Sequence, residues 1–216
     1  MTRVNEYIKT IRKEYSGRHL DEKNVLSDPI KQFESWLAEA VDARVDTPNA
    51  MVLATATSDG LPSARVVLLR DLSSEGLVFY TNYNSRKARD LSNNPAAAAV
   101  FYWPELDRQV RIEGNVSKTS PEISDEYFNS RPKESRIAAI VSPQSEIISD
   151  RSYLEELFKS YLEQLTDDHV PRPAFWGGYI LHPERIEFWQ GRENRLHDRI
   201  LYIRKGHGWS IVRLAP

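Results

Sequence analysis

The chain has 216 residues, 40% of them hydrophobic, with 29 basic and 31 acidic side chains and a formal net charge of −2. That length supports one substantial core and makes a single domain the default. The charge balance argues against a nucleic-acid binder held by bulk attraction, which would carry a basic surplus. With no cysteine in the chain, disulfides, thiolate metal sites and cysteine nucleophiles are excluded, and a reducing compartment is the natural setting.

The opening MTRVNEYIKTIRKEY is too polar for the apolar segment of a signal peptide. No apolar run approaches the roughly 20 residues of a membrane helix, so the expectation is a soluble, cytoplasmic protein. Residues 1–24 are weakly patterned and read as an N-terminal arm, with a single domain over 25–216. Asp28-Pro29 predicts a helix start, with Asp as N-cap and Pro in the first turn; Ile30, Phe33, Leu37, Ala40 and Val41 form its predicted apolar stripe. Strand-like stretches follow at 50–57, 62–70, 77–81 and 96–103. Asp59-Gly60 joins the first two as a hairpin. Ser85 to Asn94 predicts a short helix that stops before Pro95, and 108–119 a long strand. Ser120-Pro121 starts another helix, interrupted at Pro132. Leu154, Leu157, Phe158, Tyr161, Leu162 and Leu165 mark an amphipathic helix after Ser149. The last third returns to strands near 174–182, 184–190, 198–204 and 208–214. Many strands with hairpin connections and few helices predict an antiparallel barrel.

Several polar groups are candidates for binding a ligand, each with a plainer reading beside it. Arg65 and Arg70 bracket a strand; five apart, they face opposite sides unless a bulge or strand end brings them together. Arg86 and Lys87 begin a helix, where unpaired N–H groups and the helix dipole favour a phosphate, although a solvated basic helix end fits the same pattern. Tyr127, Arg131 and Ser135 recur every four residues, which on a continuous helix is one face, and all three donate well to a phosphate; a polar helix face fits equally, and Pro132 bends or restarts the helix. Arg195 and His197 alternate, so in an extended segment they face the same side. Gln109 reads as an edge-strand solvent contact or as a partner for a heterocycle edge. Trp189 reads as core or as the wall of a planar ligand, and Ser145 as a turn cap or a ligand donor. No spacing of His, Asp and Glu resembles a metal site, so none is expected.

RVVLLR at 65–70, FYTNYNSRKARDL at 79–91, RQVRIEG at 108–114, YFNSRP at 127–132, SPQS at 142–145 and EFWQGRENRLHDR at 187–199 fall together in one order and spacing. In this the chain resembles the pyridoxine/pyridoxamine 5'-phosphate oxidases, from about Arg12 to Pro216. The resemblance implies an antiparallel split β-barrel with flanking helices, built as a homodimer whose flavin sites need both chains. It implies flavin mononucleotide (FMN) contacts at Arg65, Arg70, Tyr80, Thr81, Arg86, Lys87, Gln109, Gln144, Ser145, Trp189 and Arg199. It implies a substrate site of Arg12, Tyr15, Arg70, Tyr127, Arg131, Ser135, Arg195 and His197, with Arg195 and His197 against the reacting ring and RKEY at 12–15 closing over it. The activity implied is oxidation of pyridoxine or pyridoxamine 5'-phosphate to pyridoxal 5'-phosphate, with dioxygen reduced to hydrogen peroxide. A non-catalytic flavin- or pyridoxal-phosphate-binding protein is the alternative, and turnover separates the two. The chain departs from the family pattern at Arg70, where Lys is expected, and at Arg136, Ala138 and Ile140, where Gln, Gly and Trp are frequent.

Overall fold

The Asp28 carboxylate accepts the Ile30 N–H at 2.8 Å, and Pro29 is the first residue of its helix, so the predicted cap forms. In this computed structural model, residues 3–11, 13–15, 17–165 and 169–216 are described. In chain order the elements are α1 (Arg3–Thr10), α2 (Pro29–Asp42), β1 (Ala50–Ala56), β2 (Pro62–Leu68), β3 (Asp71–Ser73), β4 (Gly76–Asn82), α3 (Arg86–Asn93), β5 (Ala96–Trp103), β6 (Arg108–Lys118), α4 (Pro121–Ser130), α5 (Lys133–Val141), α6 (Arg151–Gln164), β7 (Trp176–Gln190), β8 (Asp198–Lys205) and β9 (Gly208–Arg213). A 3-10 turn, Glu193–Arg195, precedes β8. Strand neighbours run β2-β1-β5-β6-β7-β4-β3, with β8 on β7 and β9 on β8. Among the described residues no helix is long and apolar enough to cross a membrane.

Two compact units divide the chain. One comprises Met1–Pro48, Phe101–Arg111 and Arg185–Pro216. Its α2 buries Ile30, Phe33, Trp36 and Ala40, while Val41 is 56% exposed. The expected stripe therefore turns toward Trp36. Its ring meets Phe188 edge-on at 5.1 Å and lies under the Arg108 guanidinium at 4.2 Å; the larger apolar surface wins the burial. Within the expected arm, Arg3–Thr10 is helical and buries no residue.

The other unit comprises Asn49–Val100 and Ile112–Glu184. β1 alternates buried Met51, Leu53 and Thr55 with more exposed neighbours, as a half-covered strand must. The β1–β2 hairpin sets Leu53 opposite Arg65, and its turn uses Gly60 at φ 87°, which favours glycine. β4 is buried along nearly its whole length. Beneath α4, α5 and α6, Phe128, Ile137, Val170 and Trp176 form an apolar cluster onto which Phe158, Tyr161 and Leu165 pack.

One expectation is corrected. The strands expected at 174–182 and 184–190 are one, because Pro183 falls between the stretch paired with β4 and the stretch paired with β8, where its missing N–H breaks neither ladder. The interruption expected at Pro132 is present, so Tyr127, Arg131 and Ser135 do not share one continuous helix. Arg131 is extended (φ −78°, ψ 149°), as a residue before proline must be, and α5 starts afresh after Pro132.

Candidate active site

A cleft of about 610 Å³ opens in the second unit, and Arg65, Arg70, Lys87 and Arg131 all line it; no carboxylate among the described residues does. Arg65 reaches it from β2. Its guanidinium donates to the Thr55 hydroxyl at 2.8 Å, to Ser63 at 2.7 Å and to the Leu53 carbonyl at 3.2 Å. Thr55 donates in turn to Asp90 at 2.7 Å, and Asp90 lies 3.9 Å from the Arg65 guanidinium. Arg70 enters because β2 ends at Leu68, so the alternation that would turn it away no longer applies.

Lys87, in the first turn of α3, donates to Thr81 at 3.0 Å, Ser85 at 3.3 Å and Gln144 at 3.2 Å. Burial, and next the charge of Arg65, lower its pKa to about 8. Arg131 is likewise depressed by burial, with the charge of Arg70 adding to this and Tyr127 opposing it. Lys87 thus feels the charge of Arg65, and Arg131 that of Arg70. Arg131 Nη1 is buried with no hydrogen-bond partner among the described residues. Tyr80, Tyr127 and Trp176 stack beside it, with Tyr80 and Tyr127 centroids 3.9 Å apart. Burial pushes the Tyr80 phenol up to about 12, so it stays a neutral donor.

In the first unit Tyr15, Trp189 and His197 converge. Tyr15 meets Trp189 edge-on at 5.6 Å and His197 at 5.2 Å, and Trp189 lies 4.7 Å from His197. Gly191 makes room: a Cβ there would stand 2.6 Å from the Tyr15 ring. Lys13 anchors the segment by an ion pair with Asp107 at 2.5 Å and a hydrogen bond to the Pro104 carbonyl at 2.7 Å. His197 Nδ1 accepts the Arg192 N–H at 3.1 Å, which leaves Nε2 to carry the proton of the neutral ring. Burial, then the charge of Arg195, lowers the His197 pKa. Asn194 and Arg195 hold φ of 55° and 59°, a costly conformation for non-glycine residues.

Residues 37–163 match the family model described as pyridoxamine 5'-phosphate oxidase, and residues 176–216 match the pyridoxine 5'-phosphate oxidase C-terminal dimerisation region. The chain belongs to the pyridoxine/pyridoxamine 5'-phosphate oxidase family. It is 54% identical over 206 residues to a protein of Rubrobacter xylanophilus bearing that name, covering 95% of each chain. It is 51% identical to one of a Nostoc species, covering 99% of this chain and 100% of the other. The crystal structure of PhzG from Burkholderia lata 383, in complex with tetrahydrophenazine-1-carboxylic acid, superposes with a TM-score of 0.88 at 33% identity over 94% of this chain and 100% of that one. The antiparallel split-barrel fold read from the sequence is the fold of the family.

Of the residues the family resemblance pointed to, Arg65, Arg70, Tyr80, Thr81, Lys87, Tyr127, Arg131 and Gln144 line the cleft together. Arg86 and Ser145 do not line it: both are exposed, and the Arg86 N–H donates to the Ser145 hydroxyl at 3.2 Å. Ser135 is left out as well, because the chain restarts its helix at Lys133. Gln109, half-buried in β6, does not line it either. Arg199 is committed to Glu187 at 2.8 and 3.0 Å and to the Ala215 carbonyl at 2.8 Å. Arg12 lies outside the described residues. Gln144 and Ser145 touch Lys87 and Arg86 within one chain.

Trp176, Asn82 and Asp90 were not singled out from the sequence. Of the departures, Ala138 lines the cleft and Ile140 packs on the apolar cluster. The donor set fits a ligand with phosphate groups: four cations, no carboxylate among the described lining residues (Asp90 stands behind Arg65) and an unsatisfied buried guanidinium nitrogen.

Proposed function

We propose that the protein is an FMN-dependent oxidase that converts pyridoxine 5'-phosphate and pyridoxamine 5'-phosphate to pyridoxal 5'-phosphate. Dioxygen is the acceptor and hydrogen peroxide the product; with the amine, water is consumed and ammonia released. The carrying observation is the cleft lined by Arg65, Arg70, Lys87 and Arg131, with no carboxylate among the described lining residues. Two anionic groups suit it, one on the cofactor and one on the substrate.

Arg65 and Lys87, at the N-terminus of α3, would hold the cofactor phosphate, where helix N–H groups add to the attraction. Arg70, Tyr127 and Arg131 would hold the substrate phosphate. Bound flavin supplies the hydride acceptor and the reactivity toward dioxygen. The protein contributes binding and alignment, which turn the transfer into an effectively unimolecular step. His197 would donate from Nε2 to the ring hydroxyl of the substrate, and Arg195 would fix the reacting carbon. Tyr15 and Trp189 would exclude water from that side. The C-terminal dimerisation region supports a homodimer, and in this reading Trp189, Arg195, His197 and Arg199 serve a cleft on the partner subunit.

The test is direct. Purified protein should show an oxidised-flavin spectrum, release FMN on denaturation, and produce peroxide when pyridoxamine 5'-phosphate is added in air. Flavin binding without turnover would favour a carrier or sensor, and absence of flavin after reconstitution would refute the reading.

A further inference from the structure

The Arg131 guanidinium lies 4.7 Å over the Trp176 ring and 5.8 Å from the Phe128 ring. It makes no ion pair among the described residues, and its Nη1 is buried without a partner. A carboxylate is the usual anchor for a buried arginine, but it would take the donors that a phosphate needs. An aromatic face holds the cation through its quadrupole and leaves the N–H edge uncommitted. Trp176 is well placed to do this. It is 6% exposed, packed edge-on against Phe128 at 5.0 Å, paired with Asn82 in the β4–β7 ladder and pinned by its carbonyl, which accepts from Arg172 at 2.7 Å. Its ring is also nearly parallel to that of Tyr127, at an interplanar angle of 4°, and the Arg70 guanidinium lies 5.9 Å from the Tyr127 ring.

We propose that Trp176 is a positioning residue for substrate selection: its ring orients Arg131 so that the cleft prefers a phosphate monoester over the corresponding alcohol. The role goes beyond the activity and rests on the substrate reading above. Trp176 acts through Arg131 and need not itself touch the reacting atoms. Lysine at 131 would not replace this arrangement, since an ammonium lacks the planar face that stacks on an indole.

The test measures kcat/KM for pyridoxine 5'-phosphate and for pyridoxine on the FMN-loaded wild type, Trp176→Leu, Trp176→Phe, Arg131→Ala and the Trp176→Leu/Arg131→Ala double variant. The expected result is a fall of about 5- to 30-fold in the phosphate preference of Trp176→Leu, carried by KM, with most of it restored in Trp176→Phe. In the Arg131→Ala background the leucine substitution should add less than about twofold, because the two residues act as one unit. An unchanged preference in Trp176→Leu, or additive losses in the double variant, overturns the proposal. Equilibrium binding of pyridoxal 5'-phosphate against pyridoxal, followed by absorbance, gives the same ratio without turnover. A wild type that binds pyridoxal 5'-phosphate in preference to pyridoxal but oxidises neither pyridoxine 5'-phosphate nor pyridoxine therefore refutes the oxidase reading alone. If Trp176→Leu does not fold, Trp176→Phe against Arg131→Lys decides: the proposal requires the first to keep the preference and the second to lose it.

Discussion

The Lys87 ammonium donates to the side-chain oxygen of Gln144 at 3.2 Å, across 57 residues of sequence. Thr81 donates to the same oxygen at 2.9 Å, so Gln144 ties β4 and the first turn of α3 to the segment after α5. Lys87 makes no ion pair among the described residues, and burial with the charge of Arg65 lowers its pKa to about 8. A bound phosphate supplies the missing countercharge and raises that pKa, so binding takes up a proton above pH 8. FMN affinity should be flat below about pH 8 and weaken by up to about tenfold per pH unit above it. For the unliganded protein the sign is opposite. A lysine depressed on folding makes stability rise as pH climbs from about 8 toward its ordinary value of 10.5. Flavin fluorescence titrations between pH 7 and 9.5 measure the slope, and Lys87→Arg should remove it.

Thr55 and Asp90 are 2% and 6% exposed, and the hydrogen bond between them at 2.7 Å backs the Arg65 guanidinium. Asp90→Asn removes the charge and should cost about 1.5–3 kcal/mol of stability, the range for a hydrogen bond to a charged group. It should also weaken FMN binding more than Asp90 burial alone explains. Urea denaturation with and without FMN separates the two effects. Equal losses in both conditions would mean that Asp90 supports only the fold.

Gly191→Ala places a Cβ 2.6 Å from the Tyr15 ring and 3.0 Å from the Asp107 Cβ. Tyr15 must then leave its seat against Trp189 and His197. The expected outcome is a KM for pyridoxamine 5'-phosphate raised by about 10-fold or more, the loss of one well-made contact of about 1.4 kcal/mol, with FMN affinity kept. Steady-state kinetics and flavin titration on one preparation check this.

Mixing Lys87→Ala chains with Arg199→Ala chains tests which subunit completes each site. If the two residues of a site come from opposite subunits, heterodimers carry one intact site and activity returns to about a quarter of wild type after random re-association. If both come from one chain, no intact site forms and activity stays at the level of the separate variants.

Arg131→Ala should lower kcat/KM for the phosphorylated substrate by about 10- to 150-fold, since it removes charge-assisted hydrogen bonds worth about 1.5–3 kcal/mol. Arg70→Lys should be mild, because it keeps the charge and restores the residue common in the family. Comparison of the two variants on pyridoxine and its phosphate provides the check.

The strands, the β1–β2 hairpin and the cap at Asp28 were legible because each depends on nearby residues: a period of two, an Asp-Gly turn, an Asp-Pro start. The cleft cations were legible through motif order rather than local pattern, which left Arg65 and Arg70 on opposite faces until the strand end at Leu68 was seen. Asp90 and Trp176 escaped notice because their roles are second-hand, each acting on an arginine distant in sequence. A signal for Asp90 did exist: it lies three residues after Lys87, on the same side of a short helix, where a buried acid needs a partner. Ser135 was named through the motif order, and the restart of the helix after Pro132 leaves it off the cleft lining among the described residues. Burial of Trp36 in place of Leu37 and Val41 depended on tertiary contacts with Phe188 and Arg108, which periodicity does not encode.

The cationic cleft also makes the composition of a buffer part of the protein's thermodynamics. Four like charges line about 610 Å³, with Asp90 behind one of them, so a dianion in the buffer is expected to bind the cofactor-free protein and relieve their repulsion. An anion at 100 times its dissociation constant adds about 2.7 kcal/mol to folding stability. The melting temperature of cofactor-free protein should therefore climb with inorganic phosphate or sulfate and stay flat with chloride at equal ionic strength. Samples purified in phosphate would look robust and load flavin slowly, while the same chain in a chloride buffer would be fragile and load quickly.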